Sequence, residues 1–358
     1  MRQDSKPPGG SRLRVALVGL GNVGAIHLSE YLKSDTVNLV AVVEPRAARM
    51  DELSVPAKIG RFTDLGEMLS IAAPDAVSVA TPVATHASVT EACAAAGAHV
   101  LCEKPIAIAL EDAKDMLSAC EAAGVSLGYA ASYRFLPAVL SARQLIRDGA
   151  VGEVILLQEQ AVGGARMGGG QAMGFAHYPE GGPGGSGMGL VDHGIHFVDI
   201  FPWLIDSEIV SVSGRGNVSG APLQTEWLSM IMANGATGHL LYNENVHSTT
   251  LPAEGMFSAG EGWDVDIGLT VPGAWSVSPG CIHVAGTEGA LRIFHYAHRL
   301  FHCDAKGWQE VALTGAPPPA HFGLQMEAFL NAVAQGDPPP VPGVAGLLAL
   351  EHLLSIYS

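Results

Sequence analysis

Positive charge is scarce in this chain. Nineteen Lys and Arg stand against 35 Asp and Glu, a formal charge of -16 over 358 residues. Such a field repels nucleic acid and anionic membrane surfaces, and no basic cluster reverses it locally. Cysteine is scarce as well: Cys93, Cys102, Cys120, Cys281 and Cys303 are odd in number, scattered, and nowhere form C-x-x-C. Neither a disulfide framework nor a zinc knuckle is indicated, and a reducing, cytoplasmic setting is expected. No apolar run reaches the roughly 18 to 20 residues of a membrane helix. The opening MRQDSKPPGGSR lacks the apolar centre of a signal peptide and reads as a flexible arm over residues 1–12. With charged residues at 15% and hydrophobic ones at 48%, the remainder has ample material for packed cores.

Length predicts two domains. From Leu13 to about Ala131, short apolar runs alternate with helical periodicity: LRVALVG, NVGAIHLSEYLK, VNLVAVVE, DAVSVAT, THASVTEACAAAG, HVLCEK, ALEDAKDMLSACEAAG and VSLGYA. Continuous Val, Ile, Leu and Ala runs are what parallel strands show when helices cover both faces, so an α/β doubly wound Rossmann domain is expected over 13–131. Beyond it the rhythm changes to longer strands such as EVILLQEQAV, EWLSMIMA and ATGHLLYNENV. A second, α+β domain with a mainly antiparallel sheet is expected over 132–358. Its interruptions are a Gly-rich stretch at 163–189, an apolar helix LVDHGIHFVDIFPWL and a loop-rich stretch at 251–280.

Gly19-Leu20-Gly21-Asn22-Val23-Gly24 lies between an expected strand and an expected helix, the context in which G-x-G-x-x-G has mechanical meaning. The first glycine permits the turn, the second lets backbone approach a pyrophosphate, and the third lets helix pack on strand. The helix N-terminus then offers N–H groups and a positive dipole end to the phosphates. Glu44 ends the second strand 20 residues after Gly24, placed to accept hydrogen bonds from adenosine ribose hydroxyls. A 2'-phosphate there meets a like charge, which favours NAD over NADP, although Arg46 lies two residues on. Thr81-Pro82, His86 and Glu103-Lys104-Pro105 fall on the carboxyl edge of the same sheet, where ligands bind in open α/β folds.

Asp192 and His196 are four apart on the apolar helix and share a face. That helix also carries His193 and Asp199, more titratable groups than packing needs. A His and an Asp satisfying each other in the core is the bland alternative, and a metal site is a further one for which no third ligand cluster is visible; no metal is expected.

Taken together, GLGNVG at 19–24, ATP at 80–82 with His86, HVLCEKP at 99–105, YRFLPA at 133–138, GEV at 152–154, GLVDHGIHFVDIFPWL at 189–204 and GTEGALRI at 286–293 resemble the glucose-fructose oxidoreductase and inositol dehydrogenase family, Gfo/Idh/MocA. The resemblance implies a second domain with a large open sheet, used for substrate binding and for homodimer or homotetramer contacts. It implies that Lys104, Asp192 and His196 are catalytic. It further implies an enzyme that moves a hydride between a nicotinamide and a secondary alcohol or ketone of a sugar, polyol or cyclitol. Val83 stands where the family usually has Asn after Thr-Pro, and the end soon after IYS leads to the expectation that a last family strand is missing or differently supplied. Tyr133, Arg166, His177 and Tyr178 are candidates for substrate contact. A redox-assisted glycosidase and a non-catalytic NAD-sensing protein are the rival readings.

Overall fold

The computed structural model describes residues 12–162, 189–218, 221, 223–243, 281–295 and 297–357. By its contacts the chain forms two compact units, one of Met1–Ala131 with Phe322–Leu347 and the other of Ser132–His321 with Leu348–Ser358.

The first unit runs β1 (Arg14–Val18), α1 (Asn22–Lys33), β2 (Asn38–Val43), α2 (Ala47–Glu52), β3 (Gly60–Phe62), α3 (Leu65–Ala72), β4 (Ala76–Val79), α4 (His86–Ala95), β5 (His99–Cys102), α5 (Leu110–Ala123) and β6 (Leu127–Tyr129). The strands form one sheet in the order β3-β2-β1-β4-β5-β6, and every pairing is parallel. All four residues of β4 are buried, as are the last four of β1. Their uninterrupted apolar sequence therefore reflects cover on both faces. The order places the strand reversal between β1 and β4, and a crevice at such a reversal is where a dinucleotide binds.

The second unit runs α6 (Pro137–Arg147), β7 (Val154–Val162), a π-helical turn (Leu190–Gly194), α7 (Ile195–Leu204), β8 (Ile209–Arg215), β9 (Glu226–Met232), β10 (Thr237–Asn243), β11 (Cys281–Gly286), β12 (Ala290–Phe294), β13 (Arg299–Asp304) and β14 (Gly307–Glu310). Among the described residues its eight strands lie in the order β14-β13-β12-β11-β7-β10-β9-β8. All pairs are antiparallel except β7 with β10. Burial along β9 alternates: Leu228 and Met230 are inside, while Trp227 and Ile231 are 40% and 48% exposed. At β9 one face of the sheet is thus covered and the other exposed, whereas successive residues Leu291–Phe294 of β12 are all buried. The expected long strands are present, and the expected mainly antiparallel pairing with them.

Two closing helices, α8 (His321–Gln335) and α9 (Gly343–Leu354), follow. Residues 322–347, assigned by the sequence reading to the second domain, belong to the first unit. Met326, Phe329 and Leu330 of α8 are buried in one cluster with Leu17, Leu28, Tyr31 and Val42, and the apolar face they present outweighs their position in the chain. Among the described residues no helix is long and apolar enough to cross a membrane, and the five cysteines form no disulfide.

Candidate functional site

On the first unit the site grows from the β1–α1 turn. Gly19 sits at φ +92°, and a Cβ there would stand 2.5 Å from the Ala80 carbonyl oxygen. A Cβ on Gly24 would meet the Gly19 carbonyl oxygen at 2.1 Å. Both glycines are thus required by close backbone approach. Gly21 differs: nothing lies within 4 Å of where its Cβ would be. It opens α1 with no side chain capping the helix, and Asn22 and Val23 follow in the first turn. An open backbone surface at an uncapped helix N-terminus fits a pyrophosphate.

Glu44 is 6% exposed. Leu20 N–H donates to its Oε2 at 3.0 Å, and Arg46 donates to Oε1 from N–H at 3.2 Å and Nε–H at 3.1 Å. Burial pushes the carboxyl up, but these N–H groups and the guanidinium outweigh it and hold Glu44 below its usual range. The Arg46 side chain is 71% exposed, so its charge is largely in water.

Along the same edge, Thr81 and Pro82 leave β4 and a 3-10 turn, Val83–Thr85, begins; the departing residue Val83 is 5% exposed. His86 is 1% exposed. Its Nε2 faces the Thr81 carbonyl at 2.9 Å and its Nδ1 the Pro105 carbonyl at 2.9 Å. The imidazole therefore sits between the end of β4 and the segment after β5 that carries Glu103 and half-buried Lys104, and in its neutral form its one N–H donates to one of the two carbonyls. Burial pulls the His86 pKa down, against those carbonyls and the Glu103 carboxylate.

On the second unit, Asp192 lies in the π-turn and His196 at the start of α7, the first half-buried and the second 6% exposed. A π-turn is a rare irregularity with a bias towards functional sites. Two buried carboxylates frame it. Glu226 of β9 accepts from Leu190 N–H at 2.8 Å, Gly189 N–H at 3.2 Å, Asn217 N–H at 3.2 Å and the Tyr357 hydroxyl at 2.6 Å. Glu159 of β7 lies 3.3 Å from His193 Nε2 through either oxygen, and burial pushes its carboxyl well up.

Tyr133 stacks on His196, centroids 3.8 Å apart and planes 7° from parallel. Its neighbour Arg134 grips Asp199 with two bonds of 2.7 and 2.6 Å. His193 and Asp199, surplus in the sequence reading, thus hold the helix in place. Tyr133, expected against substrate, is 3% exposed and backs the imidazole. Arg166, His177 and Tyr178 lie outside the described residues. Among the described residues no cluster of three or more His, Cys, Asp or Glu is arranged to hold a metal.

Residues 13–131 match the oxidoreductase family described as having an NAD-binding Rossmann fold, and residues 139–292 match the GFO/IDH/MocA C-terminal domain. The chain belongs to the Gfo/Idh/MocA oxidoreductase family. It is 27% identical over 345 residues to scyllo-inositol 2-dehydrogenase (NAD(+)) of Bacillus subtilis, spanning 95% of this chain and 92% of that one. It is 32% identical over 193 residues to D-glucoside 3-dehydrogenase of Escherichia coli, 53% of each chain. Its fold is shared with an Agrobacterium radiobacter oxidoreductase solved with NAD+, L-tartaric acid and magnesium, at a TM-score of 0.74 and 19% identity over 97% of this chain and 96% of that one.

One buried histidine of the second unit is expected to make stability depend on pH. Burial, with His193 adding to it, pulls the His295 pKa down to about 3. Unfolded histidine titrates near 6.5, so between these values the unfolded chain binds more protons, and stability is full above about 6.5 and lost as pH falls. From pH 7 to pH 5 this group removes about 2 kcal/mol. Urea unfolding of His295→Phe is expected to show a shallower loss over that interval than wild type; parallel losses contradict the assignment.

Proposed function

We propose that this protein is an NAD-dependent dehydrogenase or reductase that transfers a hydride between the nicotinamide and a secondary alcohol or ketone of a sugar, polyol or cyclitol. The observation that carries the reading is the presence, in one chain, of two features. One is a dinucleotide edge shaped by Gly19, Gly21 and Gly24; the other is a rigidly backed helix start bearing Asp192 and His196. The substrate class rests on the relatives, one named for an inositol and one for a glucoside.

NAD, when bound, accepts or returns the hydride. Oxidation also requires a base for the hydroxyl proton, and neutral His196 takes that role. Tyr133 stacked on one face of its ring and Arg134 gripping Asp199 restrict how the imidazole can turn, which is preorganisation of the kind catalysis rewards. Asp192 stabilises the imidazolium that forms, and Lys104 donates a hydrogen bond to the reacting oxygen as it gains charge. In reduction the same groups return the proton.

Oxidation by the wild type should slow on acidification, because an imidazolium accepts no proton. His196→Asn and Lys104→Met should each lower kcat by roughly a hundredfold or more while leaving NAD affinity near wild type. The assay is NADH absorbance and product analysis on a panel of cyclitols, sugars and glycosides. Full turnover by His196→Asn rejects the base assignment, and product without net NADH transfers support to the redox-assisted glycosidase.

Glu44 is the basis for preferring NAD. A 2'-phosphate would approach a buried carboxylate held in its charged form, whereas the Arg46 guanidinium is dispersed in solvent. Calorimetric titration should give tighter binding of NAD than of NADP, and Glu44→Ser should narrow the gap. A wild type that prefers NADP would show that Arg46 governs the pocket.

A further inference from the structure

Beneath Lys104 lies a polar network that the reaction above does not use. Glu103 is 6% exposed and His27 fully buried. The carboxylate receives the Lys104 backbone N–H on Oε2 at 3.1 Å, and its Oε1 lies 2.7 Å from His27 Nε2. A carboxylate only accepts, so Nε2 carries the hydrogen. On the far side of the ring, Nδ1 is then an acceptor; the Tyr31 hydroxyl lies 2.6 Å from it and the Ser78 hydroxyl 3.3 Å, and the two hydroxyls are 3.0 Å apart. Burial pushes the Tyr31 phenol far up, so it stays protonated and able to donate. Phe322 closes one side of the imidazole, ring centroids 5.2 Å apart.

Stability does not explain this arrangement. A buried carboxylate and imidazole are costly to desolvate, and apolar residues of the same volume usually serve packing as well or better. What such a network does supply is a single geometry. His27 and Tyr31 come from α1, three and seven residues beyond Gly24; Ser78 comes from β4; and Glu103 follows β5 directly. Their bonds lead to the peptide nitrogen of Lys104 through Glu103, while His86 of α4 lies 2.9 Å from the carbonyl oxygen of the following residue, Pro105.

We propose that His27 and Glu103 are positioning residues for Lys104, fixing the backbone from which its side chain reaches the reacting oxygen and anchoring it to the helix whose N-terminus forms the dinucleotide edge. The proposal rests on the assignment of Lys104 above.

The test compares His27→Gln, whose amide nitrogen reaches the place of Nε2 and keeps a donor for Glu103, with His27→Asn, which does not reach. His27→Asn should lose kcat roughly ten- to a hundredfold, the cost of a small misplacement of a reacting group, with KM and NAD affinity little changed. His27→Gln should recover most of it. In the protein without NAD, labelling of Lys104 by trinitrobenzenesulfonate, followed by peptide mass spectrometry, should speed up about threefold or more in His27→Asn as the segment loosens, and return towards wild type in His27→Gln. Should His27→Asn fail to fold, Tyr31→Phe removes the hydroxyl facing Nδ1 and should shift Lys104 labelling in the same direction. Wild-type kcat and labelling in folded His27→Asn, equal losses in both His27 variants, or unchanged labelling in Tyr31→Phe overturns the proposal. Lys104→Met run alongside separates the two claims: if it is fully active, the role of Lys104 itself is wrong, and if it is inactive beside an unaffected His27→Asn, only the positioning role is.

Discussion

The carboxyl edge of the first sheet depends on how closely α1 approaches β1 and β4. Gly24 brings the helix onto the Gly19 carbonyl, and Gly19, in a left-handed conformation, brings the turn against Ala80. Any side chain at either position drives the helix outward, because backbone cannot yield as a flexible side chain can. With the approach made, α1 points its N-terminus at the edge and places His27 one turn further on, deep enough to meet Glu103. Cofactor cradle and lysine support are then two consequences of the same packing contact.

The second unit solves a different problem, that of holding a helix start whose hydrogen bonding is irregular. A π-turn leaves backbone groups mismatched to the ordinary ladder. Here the first N–H groups are taken by Glu226, which also receives the Tyr357 hydroxyl from near the far end of the chain. Glu159 meets the His193 side chain, and Tyr133 with Arg134 clasps the following helix. The result is a helix start with little room to move, on which Asp192 and His196 keep their places. Burying Glu226 is costly, and the N–H and O–H groups that donate to it offset the cost only in the one arrangement that satisfies it.

Much of this was legible in the sequence, for a definable reason. The continuous apolar runs at 14–18, 76–79 and 99–102 and the alternation in EWLSMIM report burial on two faces or on one, a local signal. The glycine motif likewise reports a local turn. What escaped were relations between distant residues. His27 looks like an ordinary helical histidine until Glu103, 76 residues away, is beside it; Tyr357 and Glu226 are 131 apart. The return of α8 to the first core was equally hidden, since an apolar helix face does not state which sheet it will cover. The π-turn left no signature beyond the glycines at 189 and 194. A spacing of four between Asp192 and His196 therefore gave the correct helix but not its irregular start.

The central claim is that hydride passes between a substrate carbon and the nicotinamide. It is tested most directly with cyclitols and glucosides deuterated on their ring carbons, incubated with protein and NAD and followed by mass spectrometry of the recovered cofactor. The account predicts deuterium in the reduced nicotinamide in step with oxidised product, and a slower turnover than with unlabelled substrate. Product formed while the cofactor stays unlabelled and the rate unchanged would contradict it.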